Sequence, residues 1–128
     1  MRTPAPLQSR LALVVDDLPA DRDRLSGILI KAGWRVTHAG DGMQALARAK
    51  AGRPAIIFMD IMMPEMDGFH ACRQLLADQD THAIPVVFVS AKNQRADQVW
   101  VRANGGRELI AKPYASADVL AALKFAPE

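Results

Sequence analysis

A chain of 128 residues, 50% hydrophobic and 23% charged, has the size and composition of one globular domain, able to bury about 65 to 70% of the surface its unfolded form exposes. The formal net charge is only +2, and lysines and arginines are dispersed without a run, which argues against a nucleic-acid binder. The opening MRTPAPLQSR lacks the apolar core of a signal peptide, no apolar stretch approaches the roughly 18 residues of a membrane span, and one cysteine allows no internal disulfide. A cytoplasmic protein without membrane or nucleic-acid association is expected.

Residues 1–10 read as a short N-terminal tail and residues 11–126 as the single domain. LALVV (11–15) is a strand that ends on Asp16 and Asp17. A helix follows, with Leu25, Ile28, Leu29 and Ala32 on one stripe and Gly33 as its left-handed C-cap. WRVTHA (34–39) is a weaker strand; Ala45, Leu46 and Ala49 then mark a second helix, closed by Gly52. AIIFM (55–59) runs straight into Asp60. The third helix carries Phe69, Cys72, Leu75 and Leu76, with Asp67 where its N-cap belongs. PVVFV (85–89) leads to Ser90, a fourth helix holds Trp100 and Val101 and ends near Gly105, and ELIA (108–111) leads to Lys112 and Pro113.

Such β-α alternation predicts an α/β fold with a parallel sheet. Strands buried on both faces read as unbroken apolar runs, whereas edge strands show polar residues, so strands one, three and four are central and two and five are edges. The arrangement that follows is a doubly wound, flavodoxin-like sheet of order 2-1-3-4-5 with five helices. Ligands in such sheets sit beyond the carboxyl ends of the strands, at the switch point between strands one and three.

Asp16, Asp17, Asp60, Ser90 and Lys112 therefore converge on one rim. Each has a structural alternative: Asp16 or Asp17 as N-cap of the first helix, Ser90 as cap of the fourth, Lys112 as a solvated loop lysine. Asp60 fits such a role less well, because Asp67 already stands where the third helix needs its cap. Two carboxylates about 4 Å apart repel by about 4 kcal/mol at an effective dielectric of about 20, so three together imply a cation. Oxygen donors with room for water suit Mg²⁺.

The motifs VVDD, MDIMMPEMDG, VSA and AKP, with spacings of 43, 30 and 22 residues from Asp17 to Asp60, Ser90 and Lys112 in turn, are the specific part of the pattern. Together they resemble the CheY-like receiver domains of bacterial two-component response regulators, from about Leu11 to Ala126. The resemblance implies that Asp60 is the phosphoacceptor, taking its phosphoryl group from a sensor histidine kinase or a phosphotransfer protein. It assigns Asp17, Asp60 and the backbone carbonyl of Met62 to Mg²⁺, with Asp16 acting largely through water. Ser90 and Lys112 would contact the phosphoryl oxygens, and Pro113 would follow a cis bond that turns Lys112 inward. Such a protein is not an enzyme on an external substrate; it catalyses its own phosphorylation and a slow autodephosphorylation. Its signal passes through the face formed by the fourth helix, fifth strand and fifth helix to a downstream protein, and it is a monomer or a weak phosphorylation-dependent dimer.

Leu109 departs from the family pattern, which usually has an aromatic residue there; Tyr114 lies on the wrong side of Lys112 to replace it. That departure keeps a phosphorylation-independent interaction module as the alternative reading. Met62 and Lys92, at variable positions beside the site, put a bulky apolar group and a cation near the phosphoryl group, so slow loss of phosphate is expected. The sequence leaves no room for an output domain, so either a stand-alone regulator acting through protein contacts, as in chemotaxis or pilus motility, or a fragment is expected, and DQVWVRANGG is similar to regulators of twitching motility. An aspartate phosphatase would need an acid two residues after a nucleophile on strand one, where Leu18 follows Asp16, and a nucleotide binder would need a glycine-rich first turn. Cys72 reads as a buried thiol, Met59 as core, and Met62, Met63 and Met66 as site-loop residues, while His38, His70 and His82 lack metal-ligand spacing. Trp100 and Val101 are divided between core and partner surface.

Overall fold

The computed structural model of the protein describes residues 5–91 and 98–127. Five strands alternate with five helices: β1 (Gln8–Val15), α1 (Pro19–Lys31), β2 (Arg35–Ala39), α2 (Gly42–Gly52), β3 (Pro54–Asp60), α3 (Gly68–Ala77), β4 (Val86–Ala91), α4 (Gln98–Ala103), β5 (Glu108–Lys112) and α5 (Ser116–Ala122), followed by a 3₁₀ turn at Leu123–Phe125. All strand pairs are parallel and the order is β2-β1-β3-β4-β5. Among the described residues no helix is long and apolar enough to cross a membrane.

Alternation along the central strands divides the core between the two faces of the sheet. Leu13, Val15, Ile57, Met59, Val86 and Phe88 pack under Ala45, Ala49, Ala71, Cys72, Leu75 and Val101, from α2, α3 and α4. Ala12, Val14, Ile56, Phe58, Val87 and Val89 pack under Leu25, Leu29, Val119 and Ala122, from α1 and α5. Every residue of β3 is buried. Burying a side chain such as Ile56 or Phe58 contributes about 1.5 to 3 kcal/mol, so β3 is anchored from both sides and its carboxyl end is held in place.

Several boundaries differ from the sequence expectation. β1 begins at Gln8, inside the segment read as a tail, because the Gln8 N–H donates to the Arg53 carbonyl at 2.6 Å. Its pairing with β3 shifts register between Gln8 and Ala12, and Arg10 adopts φ 57° within the irregularity. Polar side chains that stay exposed left no hydropathic trace of this extension. Gly33 and Gly105 take positive φ as expected, but α2 is closed by Arg53 at φ 50° rather than by Gly52. The Arg53 guanidinium donates to the Asp80 carbonyl, a long-range anchor for the left-handed residue. Ala32 and Leu76 lie exposed at the ends of their stripes, whereas Met63 of the loop before α3 turns into the core and Met66 packs against it.

Candidate functional site

The carboxyl ends of β1, β3 and β5 bring Asp16, Asp17, Asp60 and Lys112 together. Asp16 and Asp60 are buried, at 5% and 7% exposure, and Asp17 stands nearer solvent. One carboxylate oxygen from each of the three acids lies within 4.8 Å of the others. Local bonds set their directions. Asp16 accepts the Leu18 N–H through Oδ1 at 3.0 Å, and its own carbonyl accepts from the Arg22 guanidinium at 2.8 Å. Asp60 Oδ1 accepts the Met62 N–H at 3.3 Å. None of these acids caps α1, whose N-cap is Leu18 without a side-chain bond, so that structural alternative falls.

Lys112 is no solvated loop lysine. Its Nζ donates to Asp16 Oδ2 and to Asp21 Oδ2, both at 2.9 Å, and stands 3.7 Å from Asp60 Oδ2. The Lys112–Pro113 bond is cis, as the resemblance implied, and β5 ends where that turn begins. Burial works to lower the ammonium's pKa, but hydrogen bonds to Asp16 and Asp21 and the charges of Asp60 and Asp16 outweigh it and leave it raised.

Asp60 is pushed the other way for a carboxylate, up to about 6. Burial is the largest cause, followed by the repulsion of Asp16; the Lys112 charge and the Met62 N–H pull it down, and Asp17 adds a smaller upward push. A carboxyl lifted in this way beside two other carboxylates belongs to a cluster short of positive charge. Three carboxylates from rigid strand ends, all oxygen donors, fit a hard divalent cation that keeps part of its water.

Ser90 lies buried at the end of β4, beside β5, and its hydroxyl makes a long 3.5 Å contact to the Ala91 carbonyl rather than to the carboxylates. Ser90 is a strand residue, followed in β4 by Ala91. Met62 is 59% exposed at the rim, and Lys92 lies outside the described residues. Leu109 is paired in register with Phe88 and packs, partly buried, against the α2–α3–α4 side of the core. Phe69 meets Phe88 edge-on at 4.9 Å between centroids and stacks on exposed Trp100 at 6.5 Å, while Val101 is wholly buried, so the two neighbours divide between surface and core.

Two contributors were missed in the sequence. Asp21, in the first turn of α1, lies 91 residues from the lysine it binds, and its one signal was an acid a helical turn beyond Asp17. Gly68 opens α3 against the backbone of Asp60, with its N–H on the Ile61 carbonyl at 2.8 Å; the glycine after a helix cap was the available sign. Asp67 caps α3 as expected, accepting the His70 N–H at 2.8 Å, and burial pushes the Cys72 thiol up to about 12.

The response regulator receiver domain matches residues 12–124. The chain is 42% identical to protein PilH of Pseudomonas aeruginosa over 101 residues, which covers 79% of this chain and 84% of PilH. Its fold superposes on the Vibrio cholerae chemotaxis protein CheY4 with a TM-score of 0.83 at 27% identity, covering 96% of this chain and all of the other. It superposes at 0.82 and 28% identity, over 91% of this chain and 96% of the other, on the receiver domain of the P. aeruginosa sensor histidine kinase PA1611, whose structure has a magnesium ion coordinated in the active-site cleft. A parallel sheet of order β2-β1-β3-β4-β5 with acids gathered at the ends of β1 and β3, matched along its length by one family, leads to one conclusion: this chain belongs to the response regulator receiver domains.

Proposed function

We propose that Asp60 is the residue phosphorylated in this receiver domain, with a phosphohistidine of a sensor kinase or phosphotransfer protein as donor. The observation that carries this is the convergence of a buried Asp60 with two further acids and the Lys112 ammonium on one rim. One Asp60 carboxylate oxygen attacks phosphorus, forming an O–P bond. The donor N–P bond breaks, and the imidazole leaves with that electron pair and takes a proton from water. Positioning and charge neutralisation are what the protein supplies to such a transfer.

Asp16, Asp17 and Asp60, with the Met62 carbonyl, are the residues that would hold Mg²⁺. When bound, the ion neutralises charge gathering on the phosphoryl oxygens. Lys112 supplies a second positive charge, and its two carboxylate partners keep it protonated. Ser90, free of a short hydrogen bond among the described contacts, has a hydroxyl to offer a phosphoryl oxygen once the strand end moves. The rim position of Met62 supports slow hydrolysis of the product, since an apolar side chain there hinders the attacking water.

The α4–β5–α5 face, with its exposed Val99 and Trp100, is the surface we assign to a downstream partner in the cytoplasm. Incubation with Mg²⁺ and acetyl phosphate, followed by intact mass measurement, is expected to show one phosphoryl adduct in the wild type and none in Asp60→Asn. Equal labelling of both would overturn the assignment. A phosphoryl lifetime of seconds would overturn the slow-hydrolysis reading alone.

A further inference from the structure

We propose that Asp21 is a positioning residue that holds Lys112 back from Asp60 until the site is loaded. The inference rests on Asp60 being the phosphoacceptor. An ammonium has three N–H donors, and in this structure two of them are engaged by Asp16 and Asp21 at 2.9 Å, while Asp60 Oδ2 stands beyond hydrogen-bond distance at 3.7 Å. Asp16 belongs to the rim. Asp21 does not: it comes from the first turn of α1 and lies outside the three acids whose oxygens gather within 4.8 Å. Its carboxylate therefore acts on the lysine and not on a shared cation.

Its placement fits a contact that can be broken. The Asp21 side chain is 37% exposed, against 7% for Asp16 and 9% for Asp60, so it is rehydrated readily when the lysine leaves. Beside the pair opens a cleft of about 240 Å³ lined by Asp21, Arg24, Lys112, Pro113 and Tyr114. Arg24 does not compete for Asp21, because its guanidinium lies over the Tyr114 ring, 5.6 Å from the centroid. A phosphoryl group on Asp60 brings about two negative charges and three acceptor oxygens, and Lys112 turns toward them. The Asp21 bond, outermost of its contacts, is the one given up. Asp21 thus weights the equilibrium toward the unloaded arrangement and couples the start of α1 to the state of Asp60.

The test is binding of beryllofluoride at saturating Mg²⁺, with fold checked by circular dichroism. Asp21→Asn and Asp21→Ala are expected to tighten apparent affinity by about two- to fivefold, the range for losing one partly exposed ion pair that opposes binding. Asp21→Glu restores the charge and is expected to return affinity toward wild type, which a merely structural role would not require. In a Lys112→Met background the Asp21→Asn effect is expected to vanish. Unchanged or weaker binding in the Asp21 variants, or an effect that persists without Lys112, overturns the inference while leaving the phosphoacceptor reading intact. A folded wild type that binds no beryllofluoride overturns both.

Discussion

A Cβ on Gly68 would stand 2.3 Å from the carbonyl oxygen of Asp60, so the first turn of α3 rests directly on the backbone that carries the candidate phosphoacceptor. Backbone cannot yield as a flexible side chain does. Gly68→Ala is expected to destabilise the fold by about 1 to 3 kcal/mol and to displace Asp60 from its neighbours. Thermal unfolding reads the first effect and a several-fold loss of beryllofluoride affinity the second. Wild-type values for both would show that the close approach relaxes freely.

The raised pKa of Asp60 predicts opposite pH trends for stability and for metal binding. Without metal, the folded protein holds a proton on Asp60 up to about pH 6, whereas the unfolded chain releases it near 3.8. Between those values the folded state binds more protons, so this group's contribution to stability rises as pH falls through that window. The trend is expected to disappear in Asp60→Asn. A cation needs the deprotonated carboxylate, so Mg²⁺ affinity is expected to fall below pH 6, by at most about tenfold per pH unit from this group. Calorimetric titration on either side of that pH checks it.

Lys112→Met removes the main charge that lowers the Asp60 pKa. The Asp60 titration, followed by carbon-13 NMR, is expected to move above 6. Labelling by acetyl phosphate is expected to slow by roughly a hundredfold, as for loss of one positioned donor to a transferring group. A labelling rate within a few-fold of wild type would assign Lys112 to structure.

The Asp67 carboxylate satisfies the His70 N–H at 2.8 Å at the start of the helix that backs Asp60. Asp67→Ala is expected to cost about 1 kcal/mol, and Asp67→Ser to recover most of it. Denaturant midpoints distinguish the two.

Leu109 packs beside Phe88 on the core face shared with α4. Leu109→Ala is expected to cost about 1 to 3 kcal/mol, since the side chain is only partly buried, and to reduce the amide shifts of α4 on beryllofluoride binding. An unchanged amplitude would place the response elsewhere.

Much of the frame was legible because burial on two faces leaves a mark that burial on one does not. Leu11 to Val15, Ala55 to Met59 and Val86 to Val89 are unbroken apolar runs and became the three central strands, while the mixed residues of Arg35 to Ala39 and Glu108 to Lys112 became the edges. Parallel strands all end on the same rim, so the acids and the lysine following those runs had to meet there. Gln8, Arg10 and Arg53 escaped because backbone bonds and a guanidinium held by a distant carbonyl shaped them, with no apolar signal. Leu76 is exposed because one residue along a helix turns the side chain by about 100°, away from the face that buries Leu75.

Period and polarity, which are local, were thus enough to establish the layered sheet, its order and the rim where Asp16, Asp17, Asp60 and Lys112 gather. Which of two like charges lies nearer a given partner depends on ångström-scale placement of segments far apart in the chain. The grip of Asp21 on Lys112, the 3.7 Å gap to Asp60 and the seat of Gly68 on its carbonyl came from packing α1 and α3 against the finished sheet. No spacing along the chain encodes such distances, because they are set by the sum of all the contacts that hold those helices in place.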